Sequence, residues 1–287
     1  MGSTTELSCL APAKLNLFLL VTGRRADGYH TLQTLFRFID RADRLTFRRR
    51  TDSRIRRVTA LPGVEEQQDL TVRAALLLQQ STGCDLGADI EIDKTLPMGG
   101  GLGGGSSDAA TTLIALNRLW NLGLSRAELQ ALGLKLGADV PVFLFGRNAF
   151  GEGIGELLQA VEMGPAWYLV MVPQVTVSTR VVFADPELTR NSTPVTIRAF
   201  SEGCGALEVM GRNDLEAVVC RRYPVVADRL QWLRRYGPAA LTGSGACVFS
   251  AFDSETAARS VFEQLPQGMQ GFVAEGLSEH PLVDWLD

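Results

Sequence analysis

The chain has 287 residues, a net charge of −4, 46% hydrophobic and 21% charged residues. These values fit one large or two ordinary globular domains and carry no disorder signature. They leave no general positive field for nucleic acid, so a phosphorylated ligand needs a local positive site. Cys9, Cys84, Cys204, Cys220 and Cys247 lack paired spacing, which points to free thiols in a reducing compartment. With only His30 and His280 beside them, a zinc site built from protein ligands is not expected.

No run approaches the roughly 18 apolar residues of a membrane span. The N-terminus, MGSTTELSCLAPAKLN, lacks a signal-peptide layout, and Glu6 stands where a myristoylation pattern needs Ser or Thr. A soluble cytoplasmic protein is expected. CLAPAKLNLFLLVTG alternates as a strand, with Leu15, Leu17 and Leu19 on one face and Lys14, Asn16 and Phe18 on the other. Asp27-Gly28 marks a turn, and TLQTLFRFIDRADRLTFRRR reads as one or two strands. QQDLTVRAALLLQQSTG has helical periodicity between Asp69 and Gly83. ADIEIDKTLP alternates again.

SSDAATTLIALNRLWNLG predicts a helix capped by Ser106 or Ser107, with Asp108 in its first turn and Gly123 at its end. A second helix starts at Ser125, where Glu128 closes a capping box, and runs to Gly137; ADVPVFLFG follows as an apolar stretch. PAWYLVMVP reads as a buried strand. Two or three helical stretches lie between about 204 and 237. ALTGSGACVFSAF is a glycine turn feeding a strand, SETAARSVFEQL a helix and GFVAEG a last strand. Strand and helix alternate in both halves, which predicts a mixed α and β class with a boundary near residue 160.

PMGGGLGGGSSDAA, residues 97–110, falls between a predicted strand and a predicted helix. A helix N-terminus exposes unpaired N–H groups and the positive end of the dipole; a glycine turn adds donors and admits phosphate oxygens to the backbone. A nucleotide phosphate site is therefore assigned to Pro97, Met98, Gly99, Gly100, Gly101, Leu102, Gly103, Gly104, Gly105, Ser106 and Ser107. No Gly-Lys-Ser/Thr follows, which excludes a P-loop. The formal G-x-G-x-x-G match means little in so glycine-rich a run. A loop without a ligand is the alternative, and the entropic cost of ordering six glycines weighs against it.

This loop and its helix resemble the phosphate-binding motif of the galactokinase, homoserine kinase, mevalonate kinase and phosphomevalonate kinase (GHMP) superfamily. PAKLNLFL, DGYH, IDKTLPMGGGLGGGSSDAA, GADVPVFL and LTGSGACVF, in this order from about residue 10 onward, are together similar to its 4-diphosphocytidyl-2-C-methyl-D-erythritol kinase family. The resemblance implies an α+β, two-lobed fold: residues 1–160 as a lobe similar to ribosomal protein S5 domain 2, and residues 161–287 as a ferredoxin-like lobe. It implies ATP as phosphoryl donor, Mg²⁺ held mainly by the nucleotide, and transfer to the 2-hydroxyl of a cytidine-diphospho methylerythritol.

The same resemblance distributes roles. Asp139 matches the family's catalytic aspartate, the base that accepts the hydroxyl proton; a turn aspartate bonding its own backbone is the alternative. Lys14 matches the motif lysine that holds Asp139 ionised and stabilises charge on the transferring group, against a strand-edge lysine reaching solvent. Asn16 would position the acceptor. Tyr29 would stack on the cytosine and His30 would bond its polar edge; a surface turn histidine is the alternative. Phe183 and Thr179 match a second aromatic and a polar substrate contact, although Arg180 between them departs from the pattern. Lys94 would reach a diphosphate or the ATP, or lie exposed. The Gly243-Ser244-Gly245 turn is expected to pack on the phosphate loop, and NDLE at 213–216 to be a helix supporting the cleft. No protein ligand for the metal is assigned.

Three other readings compete. Another kinase of the superfamily, for homoserine or mevalonate, would not need the aromatic platform of DGYH. An ATP-binding sensor would not need both Lys14 and Asp139. A nucleic-acid protein would use the arginines at 48–50, 54, 56 and 57; lacking interleaved aromatics beyond Phe47, that run reads better as a charge-protected hairpin or edge strand.

Overall fold

The protein was described from a computed structural model, covering residues 5–197 and 210–286. Cys204 and the start of the helical stretches expected from 204 lie outside the described residues. The first sheet is built on a long hairpin, β1 (Glu6–Arg24) and β2 (His30–Arg50), turned at Asp27-Gly28. β2 is one continuous strand of 21 residues. β3 (Ile55–Arg57) lies parallel to β4 (Gly87–Asp93), which pairs with the far end of β2. Later in the chain β5 (Ala149–Glu152) pairs with the near end of β2, and β6 (Leu157–Ala160) with β5.

Of the arginine run, Arg56 and Arg57 lie on the edge strand β3, while Arg48, Arg49 and Arg50 end β2 and are paired with β4. Arg48 bonds Glu6 and Glu91 at 2.7 and 2.8 Å, Arg50 bonds Asp52 at 2.7 Å and Asp89 at 3.2 Å, and Arg57 bonds Asp69 at 2.7 Å. The charges of Arg48, Arg50 and Arg57 are met from neighbouring strands, the turn after β2 and the start of the first α-helix.

Four helices follow from local chemistry. α1 (Leu70–Thr82) starts where Asp69 accepts from Thr71 N–H and stops at left-handed Gly83. α2 (Gly104–Leu119) is buried along nearly its whole length. α3 (Arg126–Leu136) carries the Ser125–Glu128 capping box. The apolar stretch after Gly137 is α4 (Val140–Phe145), short because Pro141 opens it and left-handed Gly146 closes it.

A second, antiparallel sheet holds β7 (Trp167–Met171), β8 (Ala239–Leu241), β9 (Val248–Phe252) and β10 (Gly271–Glu275) in the order β10-β7-β9-β8. Its helices are α5 (Thr179–Phe183), α6 (Glu216–Arg222), α7 (Pro224–Leu233) and α8 (Glu255–Phe262). Residues beyond β10 return to the first sheet: Leu277 N–H bonds Phe38 O at 2.8 Å, His280 N–H bonds Gly146 O at 2.9 Å, and Leu282 and Leu286 enter the first core.

Three apolar cores result. One lies between the first sheet and α1, α2 and α4. One belongs to the second sheet and α6 and α7. The third joins the sheets through Leu15, Leu17, Phe18, Val170, Cys247 and Phe249. Both faces of β1 are therefore covered, and its alternation does not separate an inner from an outer face. Lys14 is 1% exposed and Asn16 3%, so the solvent-reaching lysine is excluded.

Candidate active site

A cleft of about 540 Å³ opens where β1, the glycine run, α4 and the turn after β8 converge. The glycine run leaves β4 and enters α2 earlier than the serines suggest. Gly103, at φ 72°, occupies the N-cap position, and the helix begins at Gly104. This corrects the expected Ser106 or Ser107 cap. Ser107 is the fourth helical residue; its N–H is consumed by Gly103 O at 2.8 Å, and its hydroxyl is buried without a partner. Ser106 lines the cleft and Ser107 does not. The N–H groups of Gly104, Gly105 and Ser106 are those the first turn leaves unpaired within the helix.

The absence of side chains in this run has two causes. A Cβ on Gly103 would lie 2.9 Å from the Phe143 ring and 3.1 Å from Lys14 Cε. A Cβ on Gly101 would lie 2.1 Å from Thr242 O. At Gly101 the close neighbour is the backbone of the second sheet's turn rather than a ligand. That turn packs on the loop as expected: Cys247 N–H bonds Gly100 O at 3.0 Å and Thr242 Oγ1 donates to Gly101 O at 3.3 Å.

Lys14 faces the loop from β1, its N–H bonding Leu102 O at 2.9 Å. Its ammonium lies 3.3 Å from Asp139, donates to Asn16 Oδ1 at 2.5 Å and sits 5.6 Å from the centre of the Phe36 ring. Burying an ammonium is tolerable only with such partners. Asn16 is fixed in turn: its N–H bonds Thr242 Oγ1 at 3.0 Å, and its amide donates to Thr34 Oγ1 at 2.8 Å. Asp139 is the N-cap residue of α4, yet its side chain makes no capping bond. The self-bonded turn aspartate is thus not what forms. The carboxylate faces Lys14 on one side and the cleft on the other, 41% exposed.

Lys94 lines the same cleft and is not exposed. It donates to Asp43 Oδ2 at 2.6 Å and to Asp108 Oδ2 at 2.5 Å. Burial pulls its pKa down, and the two carboxylates more than offset this, leaving it raised. Asp43 also takes the N–H groups of Thr95 and Leu96 at 2.6 and 2.8 Å. Asp108 has one oxygen without a partner; burial first, then the negative Asp43, raise its pKa.

At the other end, Tyr29 is 61% exposed on the hairpin turn, where its N–H bonds Asp27. His30 is buried, against the surface alternative; its ring lies 5.1 Å from that of Phe183. Phe183 and Thr179 line the cleft, whereas Tyr29 and His30, expected at the substrate, are not among its lining residues. Thr179 and Ser244 share a hydroxyl contact of 2.7 Å. His30 Nε2 accepts from Arg190 Nε–H at 3.0 Å. Burial, then Arg190 and Arg24, hold its pKa below the usual value.

Several lining residues escaped the sequence reading. Leu61, Val64, Gln68, Asp69 and Leu70 form a wall between β3 and α1; only the helix cap at Asp69 carried a local signal. Asp108 and Ser244 also line the cleft. NDLE is not a helix throughout. Asn213 precedes α6 and donates to Leu241 O and Gly243 O at 2.9 and 2.8 Å, and Asp214 accepts Val21 N–H at 2.7 Å. Only Leu215 of the four lines the cleft.

Residues 69–147 match the GHMP kinases N terminal domain and residues 197–271 the GHMP kinases C terminal domain. The chain is 61% identical to the 4-diphosphocytidyl-2-C-methyl-D-erythritol kinase of Thiobacillus denitrificans, over 96% of this chain and 97% of that one. It is 58% identical to the protein of the same name from Nitrosospira multiformis, over 100% and 97%. A crystal structure of 4-(cytidine 5'-diphospho)-2C-methyl-D-erythritol kinase superposes with a TM-score of 0.79 at 34% identity, covering 94% of this chain and 99% of that one. Homoserine kinase from Cytophaga hutchinsonii shares the fold at a TM-score of 0.72 and 16% identity, over 98% and 97%. The chain belongs to the 4-diphosphocytidyl-2-C-methyl-D-erythritol kinase family of GHMP kinases.

Proposed function

We propose that this protein transfers the γ-phosphoryl group of ATP to the 2-hydroxyl of 4-diphosphocytidyl-2-C-methyl-D-erythritol, giving the 2-phosphate and ADP, a step of isoprenoid precursor synthesis by the non-mevalonate route. The observation that carries the reading is the Lys14–Asp139 pair, 3.3 Å apart, in one cleft with the N-terminus of α2. In phosphoryl transfer the protein's work is positioning and charge stabilisation. The N–H groups of Gly104, Gly105 and Ser106 and the α2 dipole would hold phosphate oxygens. Asp139 Oδ would accept the proton of the attacking hydroxyl. Lys14 Nζ would keep that carboxylate ionised and stabilise charge on the phosphoryl oxygens. Asn16 would set the direction of the hydroxyl. Thr179 would contact the substrate, and Tyr29, His30 and Phe183 would grip the cytosine.

The charge of the phosphates calls for Mg²⁺. Among the described residues no three His, Cys, Asp or Glu side chains cluster to hold a metal, and Lys14 and Lys94 engage the carboxylates Asp139 and Asp108 in the cleft. This donor set fits an ion that arrives on the nucleotide and keeps phosphate and water as most of its ligands. The ion would neutralise charge building between the β- and γ-phosphates. We assign residues 1–160 to the nucleotide lobe and 161–287 to the ferredoxin-like lobe, except that the residues beyond β10 pack back on the nucleotide lobe. No helix among the described residues is long and apolar enough to cross a membrane, which agrees with cytoplasmic action on soluble substrates.

The test is coupled ADP release with MgATP and three acceptors in parallel: the cytidine-diphospho methylerythritol, mevalonate and homoserine. Turnover of the first alone is expected. Turnover of either other acceptor instead would discard the base pocket, and turnover of none would discard the acceptor assignment.

A further inference from the structure

Arg190 follows α5 in a segment whose sequence, DPELTRNS, gave no reason to single it out. Its guanidinium is nearly fully used. Nε–H donates to His30 Nε2 at 3.0 Å, Nη1 to Leu188 O at 3.0 Å, and Nη2 to Phe183 O at 3.0 Å and Asp185 O at 2.7 Å. One side chain thus ties the first residue of β2 to the backbone at the end of α5. These are the two elements whose rings, His30 and Phe183, lie 5.1 Å apart.

The bond to His30 has a consequence for its proton. A guanidinium has five N–H donors and no acceptor. Nε2 must therefore offer its lone pair, and the neutral ring must carry its single proton on Nδ1. Nδ1 has no partner among the described residues. Protonating Nε2 would break the bond and set imidazolium against guanidinium. The charged groups acting on the ring are Arg190 and Arg24; Arg25 on the same turn is paired with Asp27 at 2.8 Å.

We propose that Arg190 is a positioning residue that determines base specificity, by locking His30 as the neutral Nδ1–H tautomer and holding Phe183 beside it. This rests on the cytidine-handle reading above. His30 then presents only a donor. It suits a ring position with a lone pair, such as N3 of cytosine, and rejects the same position of uracil, where N3 carries a proton.

The test uses the protein labelled with ¹⁵N-histidine. Its two histidines make a self-referencing pair, because His280 Nδ1 accepts Leu282 N–H at 3.1 Å and so carries the opposite tautomer. Long-range ¹H–¹⁵N spectra at pH 7 should show one Nδ1–H and one Nε2–H ring. Two Nε2–H rings, or a charged His30, would overturn the proposal, and this needs no variant. Arg190→Met should shift His30 toward the Nε2–H form and raise its pKa. It should also raise KM for the cytidine substrate roughly tenfold, about the worth of one hydrogen bond, with KM for ATP held and kcat changed far less. The preference over the uridine analogue should shrink alongside. Arg190→Lys keeps the charge but loses the fork; it should hold the pKa down while still raising KM. An Arg190→Met protein with wild-type tautomer and KM would also overturn the proposal. If wild-type protein does not turn over the cytidine substrate, the functional reading fails and the spectra still decide what Arg190 does to His30.

Discussion

Two lysines with little side-chain exposure, Lys14 at 2% and Lys94 at 14%, flank the glycine run, and they are built for different ends. Lys14 meets one carboxylate, Asp139, which is 41% exposed and makes no capping bond. Lys94 meets two, Asp43 at 0% and Asp108 at 5% exposure. Asp43 spends both oxygens on three donors, two of them backbone N–H groups of the segment leading into the loop. A carboxylate that faces a cleft can accept a proton from a substrate; one enclosed by donors can only hold the chain in place. The residue types are the same, and the free side of the carboxylate separates chemistry from scaffold.

The largest effect expected of this contrast is at Asp139. Asp139→Asn removes the proton acceptor while keeping the shape, and should lower kcat by about a hundred- to ten-thousandfold. Its unfolding free energy should fall moderately, because the buried Lys14 ammonium loses its carboxylate partner but keeps Asn16, and Asp139 itself is half exposed. Steady-state kinetics beside urea unfolding would read both. A variant that keeps its turnover would erase the distinction between the two lysine sites.

Asp43→Asn should reverse the pattern. The amide sets an NH₂ donor against the Lys94 ammonium, and breaking a buried pair costs about 3 kcal/mol or more. Loss of stability should dominate, with kcat of the folded fraction falling far less than in Asp139→Asn. If kcat falls equally and stability holds, Lys94 belongs to the chemistry.

The sequence carried this contrast only in part. Asp69, Gly83, the Ser125–Glu128 box and the strand alternation of β1 are local signals, and the elements they mark formed where expected. The glycine run, Lys14 and Asp139 were legible because their motifs are short and contiguous. Asp43 was not, since it lies 51 residues from Lys94 and looks like any strand aspartate in FIDRADRL. The burial of Lys14 was equally hidden. Alternation predicts a polar face open to solvent, whereas the glycine run, Phe36, Phe143 and Asp139 close over Lys14 and the second sheet covers the leucines on the opposite face. The wall at Leu61 and Val64 comes from an irregular segment with no periodicity to read. Ser107 misled because a serine at a helix start usually caps, whereas here the left-handed Gly103 is the cap and the helix begins at Gly104, two residues before Ser106.

The finest test separates the two partners of Lys94 from each other. Burial and Asp43 raise the pKa of Asp108, so the folded state keeps that proton at pH values where the unfolded chain has released it. Between the ordinary carboxylate range and the raised value the native state binds more protons, and stability falls as pH rises, by at most about 1.4 kcal/mol per pH unit. Asp108→Asn should abolish this fall. Its cost should be small at pH 5, where the carboxyl is close to an amide in charge, and should shrink or reverse by pH 8. The comparison must be made as a difference between variant and wild type. His280, whose pKa burial lowers to about 3, contributes the opposite sign and loses stability as pH falls below its unfolded value. Urea unfolding of both proteins at pH 5, 6, 7 and 8 would give the difference directly. A gap that does not change with pH would mean that Asp108 is ionised throughout. Lys94 would then sit in a permanently negative nest, and Asp108 would have to be counted with Asp43 as scaffold.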